Sequence, residues 1–259
     1  MKNLKDFHSK IEFVLTDIDD TLTTEGQLGS VAYSALWQLY NKGLKIIPIT
    51  GRPAGWCELI ARQWPVAGVV GENGGFYFHY SNKKMQRWFA TDQSNFITNQ
   101  KKLDFIKTEI LKTIPGTAVA SDQFCRLMDL AIDFCEDVPA LSKTDVENIV
   151  RIFTKHGAEA KVSSIHVNGW FGNYNKLTTT LKFLKDQFNL SESDALKKCA
   201  FVGDSPNDEP MFHKFPHSFG VANIQDFKSS IKHLPTYIST KKGGEGFSEI
   251  ADQILEFII

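Results

Sequence analysis

The chain has 259 residues, 42% hydrophobic and 23% charged, which is enough apolar matter for a packed core and excludes a disordered chain. Twenty-nine Lys and Arg stand against 30 Asp and Glu, without a run of five or six like charges, so no nucleic-acid or anionic-membrane partner is expected. Neither a leader-like start nor an 18-residue apolar run occurs, and the expectation is a cytoplasmic protein, with no membrane partner, acting on small molecules.

Ile11 to Thr16 is short, apolar and β-branched, the pattern of a strand buried on both faces of a parallel sheet. It runs into the polar Asp17, Asp19 and Asp20. Val31, Ala35, Leu36 and Leu39 then recur at helical spacing, with Ser30 as the expected cap and Gly43 as the expected terminator. Leu44 to Thr50 reads as a second strand ending in Thr50-Gly51-Arg52, although Pro48 removes a ladder donor and fits an interior strand poorly. A helix opens at Pro53 and continues to about Trp64. Val66 to Val70 is a third strand, broken by Gly71 to Gly75, and Phe76 to Tyr80 and Met85 to Phe89 form a predicted hairpin across Ser81-Asn82-Lys83.

The pattern changes near residue 90. A helix from Ser94 to Ile114 leads to a strand-like Arg126 to Phe134, and a second pair follows: helix Ser142 to His156, then a strand from Ala160 to Val167 running toward Trp170. Strand and helix alternation resumes at Lys176, whose helix carries Leu177, Leu181, Leu184 and Phe188. Strand Cys199 to Val202 enters Gly203-Asp204-Ser205-Pro206-Asn207-Asp208. Short strands at Ser218 to Ala222 and Thr236 to Ile238 precede a closing helix, Phe247 to Ile258. The fold class expected is α/β: a Rossmann-like parallel-sheet core of residues 1–89 and 172–259, interrupted by an α+β insert of residues 90–171.

Two acidic clusters therefore stand at the carboxyl ends of two strands, where such sheets bind ligands. Converging carboxylates repel unless a cation separates them, and oxygen-only ligands suit Mg²⁺ with a phosphate. Asp17 and Asp19, two residues apart, can face one phosphoryl group, one as nucleophile and the other handling protons. Thr50 and Lys176 are candidate donors to the equatorial oxygens. Lys176 is informative because it falls in the first turn of a helix, where a cation is disfavoured unless something anionic lies nearby. Turn formation and capping alone would also place Asp and Asn in such loops, but not two loops together with Thr50-Gly51-Arg52 and Lys176.

In order and spacing, Asp17-x-Asp19-x-Thr21, Thr50-Gly51-Arg52, Lys176 and Gly203-Asp204-Ser205-x-Asn207-Asp208 resemble the four motifs of the haloacid dehalogenase superfamily of phosphohydrolases. The insert resembles the α/β cap of its type IIB branch, which includes sucrose-phosphate and mannosyl-phosphoglycerate phosphatases. The resemblance implies that Asp17 is nucleophile and Mg²⁺ ligand, and Asp19 general acid and base with its backbone carbonyl on the metal. It also implies that Asp204 and Asp208 complete the metal site, with Asn207 beside them, and that Thr50 and Lys176 hold the phosphoryl group. Two positions depart from expectation, Asp20 where members often carry Gly, and Pro48.

Substrate choice is expected from the insert and the loop at Gly71 to Gly75. His166, Asn168 and Trp170 are the candidate contacts from the insert, with Gly51, Arg52 and Asn73 from the core side. Trp and Asn suit a sugar ring, although Trp170 serves equally as a packing aromatic and Asn73 as a turn residue. The remaining histidines, His8, His79, His156, His213, His217 and His233, have no metal-ligand spacing, and the dispersed Cys57, Cys125, Cys135 and Cys199 read as buried free thiols. The expected activity is Mg²⁺-dependent hydrolysis of a sugar phosphate or similar small ester through an aspartyl-phosphate. Alternatives are a phosphosugar mutase using the same nucleophile, a phospho-accepting receiver, for which the insert has no use, and a DxD nucleotide-sugar transferase, which leaves Lys176 and Gly203 to Asp208 unexplained.

Overall fold

The computed structural model describes residues 1–258; Ile259, the last residue of the expected core, lies outside them. Up to the insert, the chain runs through β1 (Lys2–Asn3), β2 (Phe13–Thr16), α1 (Ser30–Asn41), β3 (Lys45–Pro48), α2 (Ala54–Gln63), β4 (Val69–Gly71), β5 (Phe76–Ser81) and β6 (Lys84–Phe89). Next come α3 (Gln93–Thr113), β7 (Ala118–Val119), β8 (Asp129–Asp133), α4 (Lys143–Lys155), β9 (Glu159–Val162) and β10 (His166–Trp170). The remainder is α5 (Lys176–Phe188), α6 (Glu192–Lys198), β11 (Cys199–Gly203), α7 (Glu209–Lys214), β12 (Ser218–Gly220), β13 (Tyr237–Ile238) and α8 (Gly243–Leu255).

Six strands form one parallel sheet in the order β1-β13-β12-β11-β2-β3. Its central strands, β2 and β11, are buried along their whole length, which is why both read as uninterrupted apolar runs. Residues of α1, α2 and α8 pack on one face of the sheet, and those of α5 and α7 on the other. The chain proceeds from β2 to β3 on one side and from β11 to β12 on the other, so the crevice between β2 and β11 is the point where the winding reverses. Both acidic loops leave from that crevice.

Pro48 finds its explanation here. Ile49 donates to Thr16 of β2, so the amide position of Pro48 faces away from β2, toward the side where Ala67 N–H donates to Ile46 O and Thr50 N–H to Val70 O around an isolated bridge at Ile49 and Val70. The β2–β3 ladder keeps its hydrogen bonds. Asp20 is also accounted for: its φ of +57° is the left-handed conformation that glycine favours and aspartate tolerates.

Between β6 and α5 the chain builds a separate four-stranded antiparallel sheet, β7-β8-β10-β9. Leu103, Ile106 and Ile110 of α3 and Ile149 and Phe153 of α4 fill its own core. A third sheet, β4-β5-β6, is antiparallel, and its Val70 bridges Ile49 just beyond β3.

Four local expectations need correction. Gly29, not Ser30, caps α1, and Ser30 is the first helical residue. The β5–β6 loop is the two residues Asn82-Lys83, both at positive φ, so the strands extend one residue further on each side. The strand expected at Ala160 to Val167 is a hairpin, because Ser163 and Ser164 turn the chain and the Ser163 hydroxyl accepts the N–H of His166 at 3.0 Å. Helix α8 starts a turn before Phe247, since its glycine-rich opening is helical despite low intrinsic propensity. Among the described residues no helix is long and apolar enough to cross a membrane.

Candidate active site

Parallel pairing places the ends of β2 and β11 side by side, and the Asp17 N–H donates to Val202 O at 2.9 Å. Asp17, Asp204 and Asp208 thereby come together with 4%, 1% and 0% of their surface exposed. Carboxylate oxygens of the three lie within 4.8 Å of one another. Thr21 Oγ1 and Asn223 Nδ2 each donate to Asp204 at 3.1 Å, and the Asp204 N–H donates to Asp208 Oδ2 at 3.1 Å. Gly203 permits that last contact, since a Cβ there would lie 2.4 Å from Asp208 Oδ2.

Lys176 is the first residue of α5, capped by Asn175, and its side chain is buried in the acidic cluster. Its Nζ donates to Asp17 Oδ1 at 2.7 Å and to Asp208 Oδ1 at 2.9 Å. Burial alone would lower the lysine pKa, but Asp17 and Asp208 more than offset it and hold the ammonium charged. Burial pushes Asp17 up to about 8, with Lys176 opposing and Asp208 and Asp19 adding to the rise. Asp204 is raised well above the usual carboxylate range by burial and then by Asp208 and Asp17. Three buried carboxylates against one ammonium is an arrangement that a hard cation relieves, and every donor in it is oxygen, so the residues fit Mg²⁺.

The Asp19 carboxylate turns the other way. Arg52 Nε donates to its Oδ1 at 2.9 Å and Oδ2 at 3.1 Å. The same guanidinium reaches Glu136, following β8, at 3.1 Å, and lies over the Trp56 ring at 4.5 Å. His166 Nε2 is 2.9 Å from the other Glu136 oxygen. His166 contributes most to pulling Glu136 down to about 2, outweighing burial, and Arg52 adds to the fall. Asp17, Asp19, Gly51, Arg52 and Asn207 from the strand-end loops and His166 and Asn168 from β10 line a narrow cavity of about 20 Å³.

Other expected site residues have different surroundings. Thr50 is fully buried at the end of β3, its Oγ1 accepting the Arg52 N–H at 3.0 Å and its carbonyl accepting the Asn73 N–H at 3.0 Å. Asn73 is a buried turn residue at φ +55° and does not border the cavity. Asn168 Nδ2 donates to Asp129 at 2.8 Å while lining the cavity, and Asn207 Oδ1 accepts the Ser205 hydroxyl at 2.9 Å. Trp170 is the clear correction: 1% exposed, stacked on Tyr174 with ring centres 5.7 Å apart, it belongs to the core and cannot meet a ligand in the cavity.

Arg126, Glu136, Ser163 and Asn223 were not anticipated. Their contacts with the site join distant residues, 84 apart for Arg52 and Glu136 and 203 apart for Asn223 and Asp20, and no local pattern marks them. Thr21 lay in the quoted motif, but its contact with Asp204 depends on the pairing of β2 with β11.

Residues 14–119 match the family described as haloacid dehalogenase-like hydrolases. The chain is similar to a phosphoglycolate phosphatase of Methanothrix thermoacetophila, 25% identical over 248 residues, covering 94% of this chain and 97% of that protein. In fold it is similar to protein 0175 of Thermoplasma acidophilum, with a TM-score of 0.71, 19% identity and coverage of 96% and 100% of the two chains. It is also similar to the sucrose-phosphatase of Synechocystis sp. PCC6803, solved with sucrose and phosphate, at a TM-score of 0.65 and 15% identity over 96% and 98%.

Proposed function

We propose, from the match of residues 14–119 to haloacid dehalogenase-like hydrolases and the similarity to a phosphoglycolate phosphatase, that the chain is a Mg²⁺-dependent phosphomonoesterase that hydrolyses a small phosphorylated metabolite, a sugar phosphate, through an aspartyl-phosphate. The observation that carries this reading is the buried Asp17 held by Lys176, beside Asp204 and Asp208, with Asp19 opening on the same cavity. Residues 90–171 serve in it as a cap over the site.

Lys176 fixes Asp17 Oδ1, which orients the carboxylate so that its other oxygen attacks phosphorus. The P–O bond to the leaving group breaks, and Asp19 gives that oxygen a proton. In the second half-reaction Asp19 takes a proton from water, which attacks phosphorus and frees Asp17. Lys176 and Thr50 offset charge on the phosphoryl oxygens. Asp17, Asp204, Asp208 and the backbone carbonyl of Asp19 would hold Mg²⁺, which when bound supplies further neutralisation of phosphoryl charge. Arg52 must release Asp19 for it to work as an acid, so leaving-group entry and rearrangement of the Arg52–Glu136 contact are coupled.

A second substrate reading, a phosphorylated hydroxy acid, is favoured by the end-to-end similarity to a phosphoglycolate phosphatase and by Arg52, Arg126 and His166 on the cavity wall. A panel of sugar phosphates, phosphoglycolate, phosphoglycerates, nucleotides and para-nitrophenyl phosphate, assayed for phosphate release in Mg²⁺ and in EDTA, tests both. Preference for a sugar phosphate supports the first, preference for the acids supports the second, and conversion of a hexose 1-phosphate to its 6-phosphate without phosphate release would overturn hydrolysis.

A further inference from the structure

Outside the acidic cluster the fully buried carboxyl group of Glu72 has no part in the chemistry above. Glu72 follows β4 at φ +44°, a conformation that side chains other than glycine rarely adopt without compensation. Its Oε1 accepts the N–H of Ala54 at 2.9 Å, at the start of α2 and directly after Thr50-Gly51-Arg52 and Pro53. No side chain on the Pro53 cap supplies that acceptor, so Glu72 satisfies the helix end from across the fold. The same carboxylate accepts the N–H groups of Leu127 at 2.9 Å, Met128 at 2.5 Å and Asp129 at 3.2 Å, which lead into β8 of the cap.

Two independent features hold the same seam. Arg126 Nη1 donates to Gly51 O at 2.9 Å and to both Asp129 oxygens at 3.1 and 3.2 Å, while Nε and Nη2 engage Asp122 at 2.9 and 3.1 Å. Core and cap backbones also approach so closely that a Cβ on Gly55 would lie 2.8 Å from Cys125 Cβ, and one on Gly75 would lie 2.8 Å from Met128 Cβ. From the seam the chain of contacts reaches the cavity, because Asp129 accepts Asn168 Nδ2 at 2.8 Å and Asn168 lines the wall.

We propose that Glu72 is a positioning residue for substrate selection: by gathering the first N–H of α2 and three successive N–H groups of the cap on one carboxylate, it sets Asn168 at a fixed place over Thr50-Gly51-Arg52. The role in selection rests on the phosphatase reading; the positioning itself does not. Four buried donors converging on one carboxyl group form a rigid joint, and a small shift of a substrate-facing group is enough to weaken binding strongly.

The test uses Glu72→Gln, which keeps the size but turns an amide N–H toward donors that need acceptors, and Gly55→Ala, whose Cβ would lie 2.8 Å from Cys125 Cβ and press on the seam without touching Glu72. KM and kcat are measured for the best hydroxylated ester of the panel and for para-nitrophenyl phosphate, whose ring has no hydroxyl for Asn168, together with hydrogen exchange of residues 127–129 and 166–170. The expected result for either variant is a KM rise of about five- to tenfold for the hydroxylated ester, less than twofold for the nitrophenyl ester, and faster exchange in both segments. Equal changes for the two esters, or unchanged exchange at residues 166–170, would overturn the proposal and leave Glu72 a stabilising contact. If the wild-type protein hydrolyses no ester, the phosphatase reading falls and with it the role in selection, while exchange alone decides the positioning. If Glu72→Gln does not fold, Gly55→Ala decides on the same two readouts.

Discussion

Arg52 grips Asp19 through Nε at 2.9 and 3.1 Å to its two carboxylate oxygens and extends the same guanidinium to Glu136, which follows β8. One side chain thus joins the proposed general acid to the segment after β8. Replacing Arg52 with Ala leaves Asp19 and Glu136 facing each other without a cation. We predict a loss of about 1–3 kcal/mol in urea unfolding and a fall in kcat/KM of at least about tenfold, equivalent to about 1.4 kcal/mol at the transition state. Unfolding and turnover like wild type would show that the grip matters to neither.

The acidic cluster predicts how the protein responds to metal. Saturating Mg²⁺ should stabilise the wild-type protein by about 2.7 kcal/mol at a hundredfold excess over Kd, read as a rise in Tm over the EDTA sample. Asp204→Asn should raise Tm in EDTA, because burial and two neighbouring carboxylates disfavour its charge, and should abolish the Mg²⁺-dependent rise. A Mg²⁺ response that survives Asp204→Asn would place the cation elsewhere.

Glu136 predicts a specific acid sensitivity. Its pKa is pushed from the ordinary 4.5 to about 2, by His166 first and Arg52 besides. A depressed folded-state pKa contributes stability that is fully present above the unfolded value and is lost as pH falls from about 5 through 2. The urea midpoint of Glu136→Gln should therefore lie below that of wild type at pH 6, and the gap should close toward pH 3. A gap that does not change with pH would remove the ionised Glu136 from the account.

Trp170 lies in the core against Tyr174. Trp170→Phe should retain the ranking of esters shown by the wild-type protein, and Trp170→Ala should cost about 3–5 kcal/mol of stability. A reordered ester preference in the Phe variant, at unchanged stability, would return this residue to the binding site.

What could be read from the residues in order was the part of the fold with local causes. The strands ending at Asp17, Thr50 and Asp204 are short apolar runs buried on both faces, and each hands over abruptly to polar residues, so strand ends and motif positions coincided. Lys176 was legible because a cation in the first turn of a helix needs an anionic neighbour, and it has two. The Ser163-Ser164 turn is marked only by a one-residue slip in the alternation, from Ala160 and Val162 to Ile165 and Val167. The partnership of Arg52 with Glu136, or of Glu72 with residues 127–129, was not legible, because these depend on how two sheets dock. Trp170 shows the limit from the other side: an aromatic two residues after Asn168 looks available until the nearby Tyr174 is placed.

The claim on which the rest depends is that Asp17 carries the phosphoryl group. A single turnover of the best ester in Mg²⁺, quenched into hydroxylamine and analysed by peptide mass spectrometry, tests it, because an acyl-phosphate is converted to a hydroxamate at the residue that held it. The account predicts a hydroxamate at Asp17, absent in EDTA and in Asp17→Asn. Phosphate release at the wild-type rate from Asp17→Asn, or a hydroxamate at another carboxylate, would contradict it.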